Sequence, residues 1–184
     1  MIRAFIALPL PEAVRSALVL LQHQLPVPRR VEPEAMHLTL LFLGELPHPE
    51  LEAVHHALDE LRAPGFDLQL QGLGLFGGAR PRNLHAGVSP QPALDHLQAK
   101  VAQAVRGTGL RVARHRFVPH VTLARFTPEQ IEDRPRLERA VAGAALFRSE
   151  PFAVRGFGLY RSTLRRDGAV YDLLADYALD PPPG

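Results

Sequence analysis

The chain contains no cysteine, only one lysine and no long apolar run. Without cysteine, neither disulfides nor thiolate metal sites can form, and the redox compartment stays open. No apolar stretch approaches the ~20 residues that a membrane-spanning helix needs. The N-terminal run is interrupted by Pro9 and Pro11 and lacks the small-residue cleavage site of a signal peptide. These absences predict a cytoplasmic protein that does not enter a membrane.

The shortage of lysine makes arginine the dominant cation. Lys100 is the single lysine, so the other 20 of the 21 basic residues are arginine. Arginine stays protonated, and its planar guanidinium matches the geometry of phosphate oxygens. Clusters lie at 29–30, 111–116 and 165–166, yet the formal net charge is only +2. Two interpretations stay open: a phosphate-binding surface, or a compositional bias that also enriches Ala, Pro, Gly and Leu.

What is present describes an ordinary globular protein. The chain has 184 residues and is 46% hydrophobic and 22% charged, which fits one domain with its own core. Hydrophobic periodicity predicts the order strand, helix, strand, helix, strand in the first half. These elements are predicted at 2–8, 11–25, 37–44, 48–61 and 66–76.

The second half repeats this order. Its elements are predicted at 83–89, 91–107, 117–126 and 127–144, with a capping box at the start of the last helix, followed by 150–164 and 169–179, which a hairpin at 165–168 joins. The duplication predicts an α+β fold of two pseudo-symmetric lobes, each a mainly antiparallel sheet flanked by helices, around a central cleft. We expect one bilobal domain over 1–184, with lobes at about 1–80 and 81–180 that can exchange strands.

One predicted strand carries two polar residues in an apolar context. In EAMHLTLLFLGEL, residues 34–46, His37 and Thr39 point to one face, while Leu38 and Leu40 point to the other. Taken alone, such a pair is more often a satisfied polar pair at a sheet edge than a site.

A second copy of the pair changes this interpretation. His120 and Thr122 stand at the same spacing in HVTLAR, 83 residues further along, on the third element of their half. A buried imidazole destabilises a fold unless it finds a partner, so a duplicated pair favours a function. The alternatives are symmetric core histidines left by the duplication, or a metal site. Two histidines without Asp, Glu or Cys make a poor zinc ligand set.

Two histidines and two hydroxyls suit one kind of chemistry. The imidazole pKa lies near neutrality, so one ring can act as a base while the other acts as an acid. Threonine hydroxyls can donate hydrogen bonds to an anion between the rings. Together they provide what in-line displacement at a phosphodiester needs, and neither a metal nor a covalent intermediate is required.

These residues and their flanks resemble the 2H phosphoesterase superfamily, and within it the 2′-5′ RNA ligase / RNA 2′,3′-cyclic phosphodiesterase family. The resemblance extends over residues 1–179. The segments that carry it are RAFIALPLP at 3–11, HLTLLFLGEL at 37–46, GLGLFGGARPRNLHAGV at 72–88, HVTLAR at 120–125 and LYRSTLRRDGAVYDLL at 159–174.

The resemblance implies an enzyme that opens the 2′,3′-cyclic phosphate at an RNA end to a 2′-phosphate, together with an ATP-independent 2′-5′ RNA ligase activity. It makes His37 and His120 the catalytic acid and base, in an order that the sequence leaves open. It makes Thr39 and Thr122 donors to phosphate oxygens, and Arg125 a residue that positions the phosphate. It implies a monomer whose partner is RNA with 2′,3′-cyclic phosphate ends, with no cofactor and no metal.

Other residues follow the resemblance less closely. Phe5, Phe42 and Tyr160 are candidates for base or cleft contacts, although core packing is the better interpretation of the two phenylalanines. His85 stands where the family often has a bulkier aromatic residue, and Leu41 where it often has a lysine. We expect the remaining histidines to be solvated: His23, His48, His55, His56, His96 and His115.

Two other functions remain open. The first is an RNA-binding module without catalysis, in which the arginine clusters grip phosphates in a salt-dependent way. The intact His/Thr pairs in both halves argue against it, because binding alone does not need both. The second is a 2H phosphoesterase that acts on small cyclic nucleotides.

Overall fold

A computed structural model of the chain describes residues 1–113, 115–165 and 168–182. Over these residues nine strands and four helices form. Parts of the arginine clusters at 111–116 and 165–166, of the predicted turn at 165–168 and of the C-terminal tail lie outside the described residues. In the described ranges no helix is both long and apolar enough to cross a membrane.

Seven strands form one antiparallel sheet in the order β4-β5-β6-β2-β1-β8-β9. These strands are β1 (Ile2–Pro9), β2 (His37–Leu46), β4 (Leu70–Phe76), β5 (Asn83–Val88), β6 (His120–Arg125), β8 (Gly156–Arg165) and β9 (Gly168–Ala178). The short strands β3 (Phe66–Leu68) and β7 (Phe152–Val154) pair with each other. With the four helices, this confirms the predicted α+β class and its antiparallel pairing.

The helices bury single apolar stripes against the sheet. They are α1 (Glu12–His23), α2 (His48–Asp59), α3 (Pro92–Gly107) and α4 (Arg134–Gly143). In α3 the buried residues Leu94, Leu97, Val101 and Val105 recur at intervals of three and four, which is the spacing of one helix face. Along β2, Leu38 and Leu40 join this core. The alternate residues of β2 therefore face the other side of the sheet, away from the helices.

The predicted helix at 127–144 is wrong in its first third. The capping box of Thr127 and Gln130 is present, but it caps a short 3₁₀ helix at Pro128–Gln130. The chain then restarts as α4, because the Asp133 carboxylate accepts a hydrogen bond from the Arg136 amide at 2.9 Å and caps a new N-terminus. Pro135 sits in the first turn of this helix, where a missing N–H costs nothing.

The predicted strands at 66–76 and 150–164 are each divided in two. Gln69 separates β3 from β4, and Arg155 separates β7 from β8. The short pieces pair with one another, Phe66 opposite Val154, and leave the longer pieces to the main sheet. The predicted strand at 117–126 is shorter in the structure, where β6 covers His120–Arg125.

The strand order mixes the two halves of the chain. β4, from the first half, pairs with β5 of the second half, and β8, from the second half, pairs with β1. The motif strands β2 and β6 lie side by side at the centre of the sheet. The lobe boundaries near residue 80 stay a prediction.

Candidate active site

The two motif strands separate soon after they meet, and this opens a cleft. β2 and β6 are joined at the register pair Leu38 and Val121. Further along β6, the segment 29–31 takes the place of β2 and forms backbone hydrogen bonds of 2.8 and 3.2 Å with Leu123 and Arg125. Because one strand edge accepts one neighbour, β2 must diverge from β6 at this point.

A cavity of about 240 Å³ lies between the diverging strands. Its lining includes both His/Thr pairs, His37 with Thr39 and His120 with Thr122. Val31, Ala35, Phe42, Asn83 and Arg125 complete it. The structure therefore brings into one cavity the five residues to which the resemblance gives catalytic or phosphate-binding roles.

Each histidine is held through the same ring nitrogen. The Nδ1 of His37 donates to the Ala35 carbonyl at 2.8 Å, and the Nδ1 of His120 donates to the Val118 carbonyl at 2.7 Å. A carbonyl oxygen only accepts, so Nδ1 must carry a proton in both rings. The Nε2 atom is then an acceptor in the neutral ring and a donor in the imidazolium. Each ring is thus prepared to act as a base or as an acid.

His37 lies in an aromatic environment. Its ring centroid is 4.7 Å from that of Phe5 and 5.0 Å from that of Tyr171. Burial lowers the pKa of His37 to about 4, the hydrogen bond to Ala35 opposes this shift, and the nearby charges of Arg125 and His120 add to it. In the free protein His37 is therefore neutral at pH 7, with the lone pair of Nε2 available.

His120 has different neighbours. Its ring meets Phe76 edge to face, at 4.8 Å between centroids, and His85 at 5.3 Å. His85 in turn stacks on Phe76 at 3.9 Å. The bulkier aromatic residue that the resemblance led us to expect at position 85 is thus replaced by a smaller ring that still stacks.

Asn83 is the residue of the cavity that the sequence analysis missed. Its Nδ2 donates to the Thr122 hydroxyl oxygen at 3.3 Å. The signal for it was available, because Asn83 precedes His85 by two residues on a strand, so both side chains belong to one face. An asparagine in a single sequence carries no chemical signature, and only its pairing with β6 makes it informative.

Arg125 ends β6 at the edge of the cavity, and its side chain is exposed. Three salt bridges form within the described ranges, and Arg125 takes part in none of them. Its guanidinium is therefore available to an anion in the cavity. Leu41, where a lysine was the alternative, packs against the core instead and brings no cation to the site.

The three aromatic candidates are placed differently. Phe42 lines the cavity and is 64% exposed, so the interpretation of this residue as core is wrong. Phe5 is 3% exposed and packs beside His37, so it is a core residue that supports the site. Tyr160 stacks on Phe5 at 5.4 Å between centroids but is not among the residues that line the cavity.

The cleft continues beyond the two histidines. A neighbouring cavity of about 330 Å³ shares His37, Phe42 and Arg125 with the first. It extends over Arg3 and Tyr171 towards the β8–β9 hairpin. The site therefore has room for a group larger than a phosphate.

The other histidines stand apart from this cavity. His55 does not fit the expectation that all six are solvated, because its Nδ1 lies 2.9 Å from the Tyr177 hydroxyl and it is only partly exposed. Across residues 1–113, 115–165 and 168–182, no group of three or more His, Cys, Asp or Glu side chains is arranged to hold a metal ion. Independence of metal stays a prediction.

Comparison with known proteins places this site in a family. The sequence profile of the 2′-5′ RNA ligase superfamily matches residues 11–166. A Thermus thermophilus protein named RNA 2′,3′-cyclic phosphodiesterase is 36% identical over 96% of this chain and 90% of its own length. An Archaeoglobus fulgidus protein of the same name is 30% identical over 78% of this chain and 79% of its own length.

Solved structures agree with the sequence comparison. The crystal structure of Escherichia coli LigT in complex with 3′-AMP matches with a TM-score of 0.81 and 27% identity, over 97% of this chain and 98% of that one. The crystal structure of a second Thermus thermophilus protein, TT0787, matches with a TM-score of 0.75 and 33% identity, over 97% and 98%. From the profile match and the 36% identical relative it follows that this chain belongs to the 2′-5′ RNA ligase superfamily.

Proposed function

We propose that the protein is an RNA 2′,3′-cyclic phosphodiesterase, which hydrolyses the cyclic phosphate at an RNA end to a 2′-phosphate by metal-independent catalysis with two histidines. One observation carries the proposal: two Nδ1-anchored histidines, each with its threonine, line one cavity of about 240 Å³. The names of the relatives, RNA 2′,3′-cyclic phosphodiesterase, support the same substrate class.

The reaction needs one proton acceptor and one proton donor. A water molecule attacks the phosphorus, and one histidine takes its proton through Nε2. The bond between phosphorus and the 3′-oxygen breaks, and the other histidine, as the imidazolium, gives its Nε2 proton to that oxygen. The products are a 2′-phosphate and a 3′-hydroxyl, and one proton has moved between the histidines through the reaction.

The remaining residues hold the phosphate and the nucleoside. Thr39 and Thr122 donate hydrogen bonds to the non-bridging oxygens, where negative charge grows in the transition state. Arg125 supplies a fixed positive charge to the same group. Phe42, exposed at the cavity edge, offers an aromatic face on which a base can stack.

Ligation uses the same groups in the opposite direction. When an RNA 5′-hydroxyl replaces water as the attacking group, the same displacement joins two ends through a 2′-5′ linkage and needs no ATP. Hydrolysis is favoured in dilute solution, because aligning two RNA ends costs association entropy that water does not. We therefore propose ligation as a second activity of the site.

The proposal includes a monomer that acts in the cytoplasm. One chain supplies both histidines and both threonines, so the cavity is complete without a partner. Light scattering of the purified protein at micromolar concentration tests the oligomeric state.

Substituting either histidine tests the mechanism. We expect His37→Ala and His120→Ala each to lower the turnover of an oligonucleotide with a 2′,3′-cyclic phosphate end by ~10³-fold, since each removes one proton-transfer partner. Turnover and the product isomer are measured by separating the oligonucleotides. His96→Ala, at an exposed position on α3, is the matched control and should keep wild-type activity. EDTA should leave the activity unchanged.

Four results contradict parts of this proposal. Full activity in either histidine variant overturns the two-histidine mechanism, and a sharp loss with EDTA argues for a metal. RNA binding without turnover by the wild type favours the binding module. A strong preference for mononucleotide 2′,3′-cyclic phosphates over oligonucleotides favours an enzyme of small cyclic nucleotides.

A further inference from the structure

Three side chains form a hydrogen-bonded chain on one side of the cavity. The Nδ1 of His85 lies 3.2 Å from the Oδ1 of Asn83, and the Nδ2 of Asn83 lies 3.3 Å from the Oγ1 of Thr122. Asn83 and Thr122 line the cavity, whereas His85 is 8% exposed behind them. The chain thus runs from a buried ring to a hydroxyl that faces the phosphate site.

The register of β5 and β6 brings these residues together. His85 is opposite Thr122, and Asn83 is opposite Arg125, with an irregularity in the pairing between Leu84 and His85. This irregularity matches two residues of β5 to three of β6. It allows Asn83 and His85 to face the cavity side together with Thr122, while Leu84 stays in the core.

The ring of His85 is fixed on two sides. On one side it stacks on Phe76, with 20° between the ring planes. On the other side it lies against the backbone of Gly74, where a Cβ atom would come within 2.7 Å of Nε2. Because a larger residue at position 74 would displace the ring, this glycine makes room for the histidine. His85 therefore holds one position relative to Asn83.

The positions of the protons follow from what each atom can donate. Burial lowers the pKa of His85 to about 4, and the charge of His120 contributes to this, so the ring is neutral at pH 7 with one N–H. The Oδ1 of Asn83 only accepts, so that N–H is on Nδ1. The amide nitrogen of Asn83 then faces Thr122 and occupies a lone pair of its hydroxyl oxygen.

We propose that Asn83 and His85 are positioning residues, which orient Thr122 so that its hydroxyl proton points to a non-bridging oxygen of the bound phosphate. With the amide reversed, Oδ1 would accept the Thr122 proton, and the phosphate would lose a donor. His85 prevents this reversal because its Nδ1–H demands an acceptor. This inference rests on the proposed function for its substrate, but the geometry requires only an anion in the cavity.

The arrangement is absent from the other half of the cavity. The position opposite Thr39 on the neighbouring strand is Ala7, and the residue that corresponds to Asn83 is Phe5, opposite Phe42. Neither side chain can form a hydrogen bond. Within the described ranges, the Thr39 hydroxyl makes no hydrogen bond. Thr39 is therefore a natural control for Thr122.

A double-mutant cycle tests the proposal. We expect Asn83→Val to lower kcat/KM for the cyclic-phosphate oligonucleotide about tenfold, in the wild type and equally in a Thr39→Val background. In a Thr122→Val background the same change should cost less than twofold, because there is no hydroxyl left to orient. His85→Phe, which keeps the stacked ring but lacks Nδ1–H, should repeat this pattern, and His85→Asn, which keeps a donor at that position, should recover part of the loss.

The same cycle is then measured with inorganic phosphate as the probe, by titration calorimetry. Equal losses for Asn83→Val in both threonine backgrounds overturn the proposal, because Asn83 would then act on packing or contact the phosphate itself. If the wild type does not open the oligonucleotide, the proposed function fails. The orientation of Thr122 is then judged by phosphate affinity alone, where coupling to Thr122 and not to Thr39 supports it and its absence overturns it. Unfolding in urea verifies that each variant is folded.

Discussion

At the scale of single residues, two imidazoles make the stability of this protein depend on pH. His37 and His85 both have pKa values lowered to about 4 by burial, against about 6.5 in an unfolded chain. Between pH 6.5 and 4 the unfolded state therefore binds more protons than the folded state. Stability falls as the pH is lowered through this window, and these two groups cause no further loss below pH 4.

We expect the free energy of unfolding to decrease by on the order of 2 kcal/mol between pH 7 and pH 4.5, a figure reduced from the full shifts because His37 is partly exposed. Urea unfolding at the two pH values measures it. Carboxylates contribute to acid destabilisation as well, so the comparison is with His85→Phe, which should show a smaller decrease. An equal decrease in this variant would mean that His85 is not neutral in the folded protein.

The sequence showed the residues that repeat and missed the residues that do not. His37 and His120 were predictable because each occurs within a copied motif, and a copy is visible without a structure. Asn83 was not, because its meaning depends on which strand lies next to β5. Phe42 was misjudged as core because alternation along β2 ends at an irregularity in its pairing with β1, after which the chain exposes a residue that a regular strand would bury.

At the scale of elements, the site depends on how the segment 29–31 is held against β6. Gln22, on α1 and 2% exposed, donates from Nε2 to the carbonyls of Val31 and Leu123, at 2.9 and 2.7 Å. One buried amide thus ties a helix, the inserted segment and a motif strand together. The separation of β2 from β6 depends on this junction.

We expect Gln22→Leu to lower the free energy of unfolding by about 2 kcal/mol, because two buried carbonyls lose a partner. It should also reduce kcat by severalfold, since the end of β6 carries Arg125. Gln98→Leu is the control, because the Nε2 of Gln98 makes a longer bond of 3.4 Å to the Leu40 carbonyl from a partly exposed position. Urea unfolding and turnover are measured for both. Equal effects in the two variants would contradict a special role for the junction.

Periodicity predicted most elements but not how they divide. The helix at 92–107 and the strand that begins at His37 follow directly from apolar spacing and bounding glycine and proline residues. The divisions at Gln69 and Arg155 arise because β3 and β7 find each other across more than 80 residues of chain. Such long-range pairing leaves no local signal, and a continuous strand is the natural local prediction.

At the scale of the whole molecule, the duplication predicted the fold class, but not the strand exchange. The order of elements in the sequence places β8 and β9 with the second half, whereas in the sheet they extend the first half beyond β1. The exchange builds the wall of the cleft, since Tyr171 of β9 contacts His37. A boundary at the midpoint of the chain would separate these two residues.

The basic character of the molecule leads to a prediction about salt. Exposed arginines, among them Arg3 and Arg125, border the cleft, so an RNA strand that leaves the site passes fixed positive charges. We expect kcat/KM for an oligonucleotide to fall more steeply with salt than for a mononucleotide 2′,3′-cyclic phosphate, by about 0.7 in logarithmic slope for each added phosphate contact. Arg3→Gln should reduce the difference. Identical slopes would confine recognition to the terminal nucleotide.

The two walls of the cavity have a consequence for the chemistry of the product. A cyclic phosphate has two ester bonds of nearly equal strength, and a cavity with two equal walls would accept the nucleoside on either side and release both isomers. Here one side has Phe5 and Phe42 at the positions where the other has Asn83 and Arg125. A nucleoside that settles against the aromatic side leaves a single ester bond in line with water. The ratio of 2′- to 3′-phosphate therefore records, in the product, how far the two halves of the duplication have diverged.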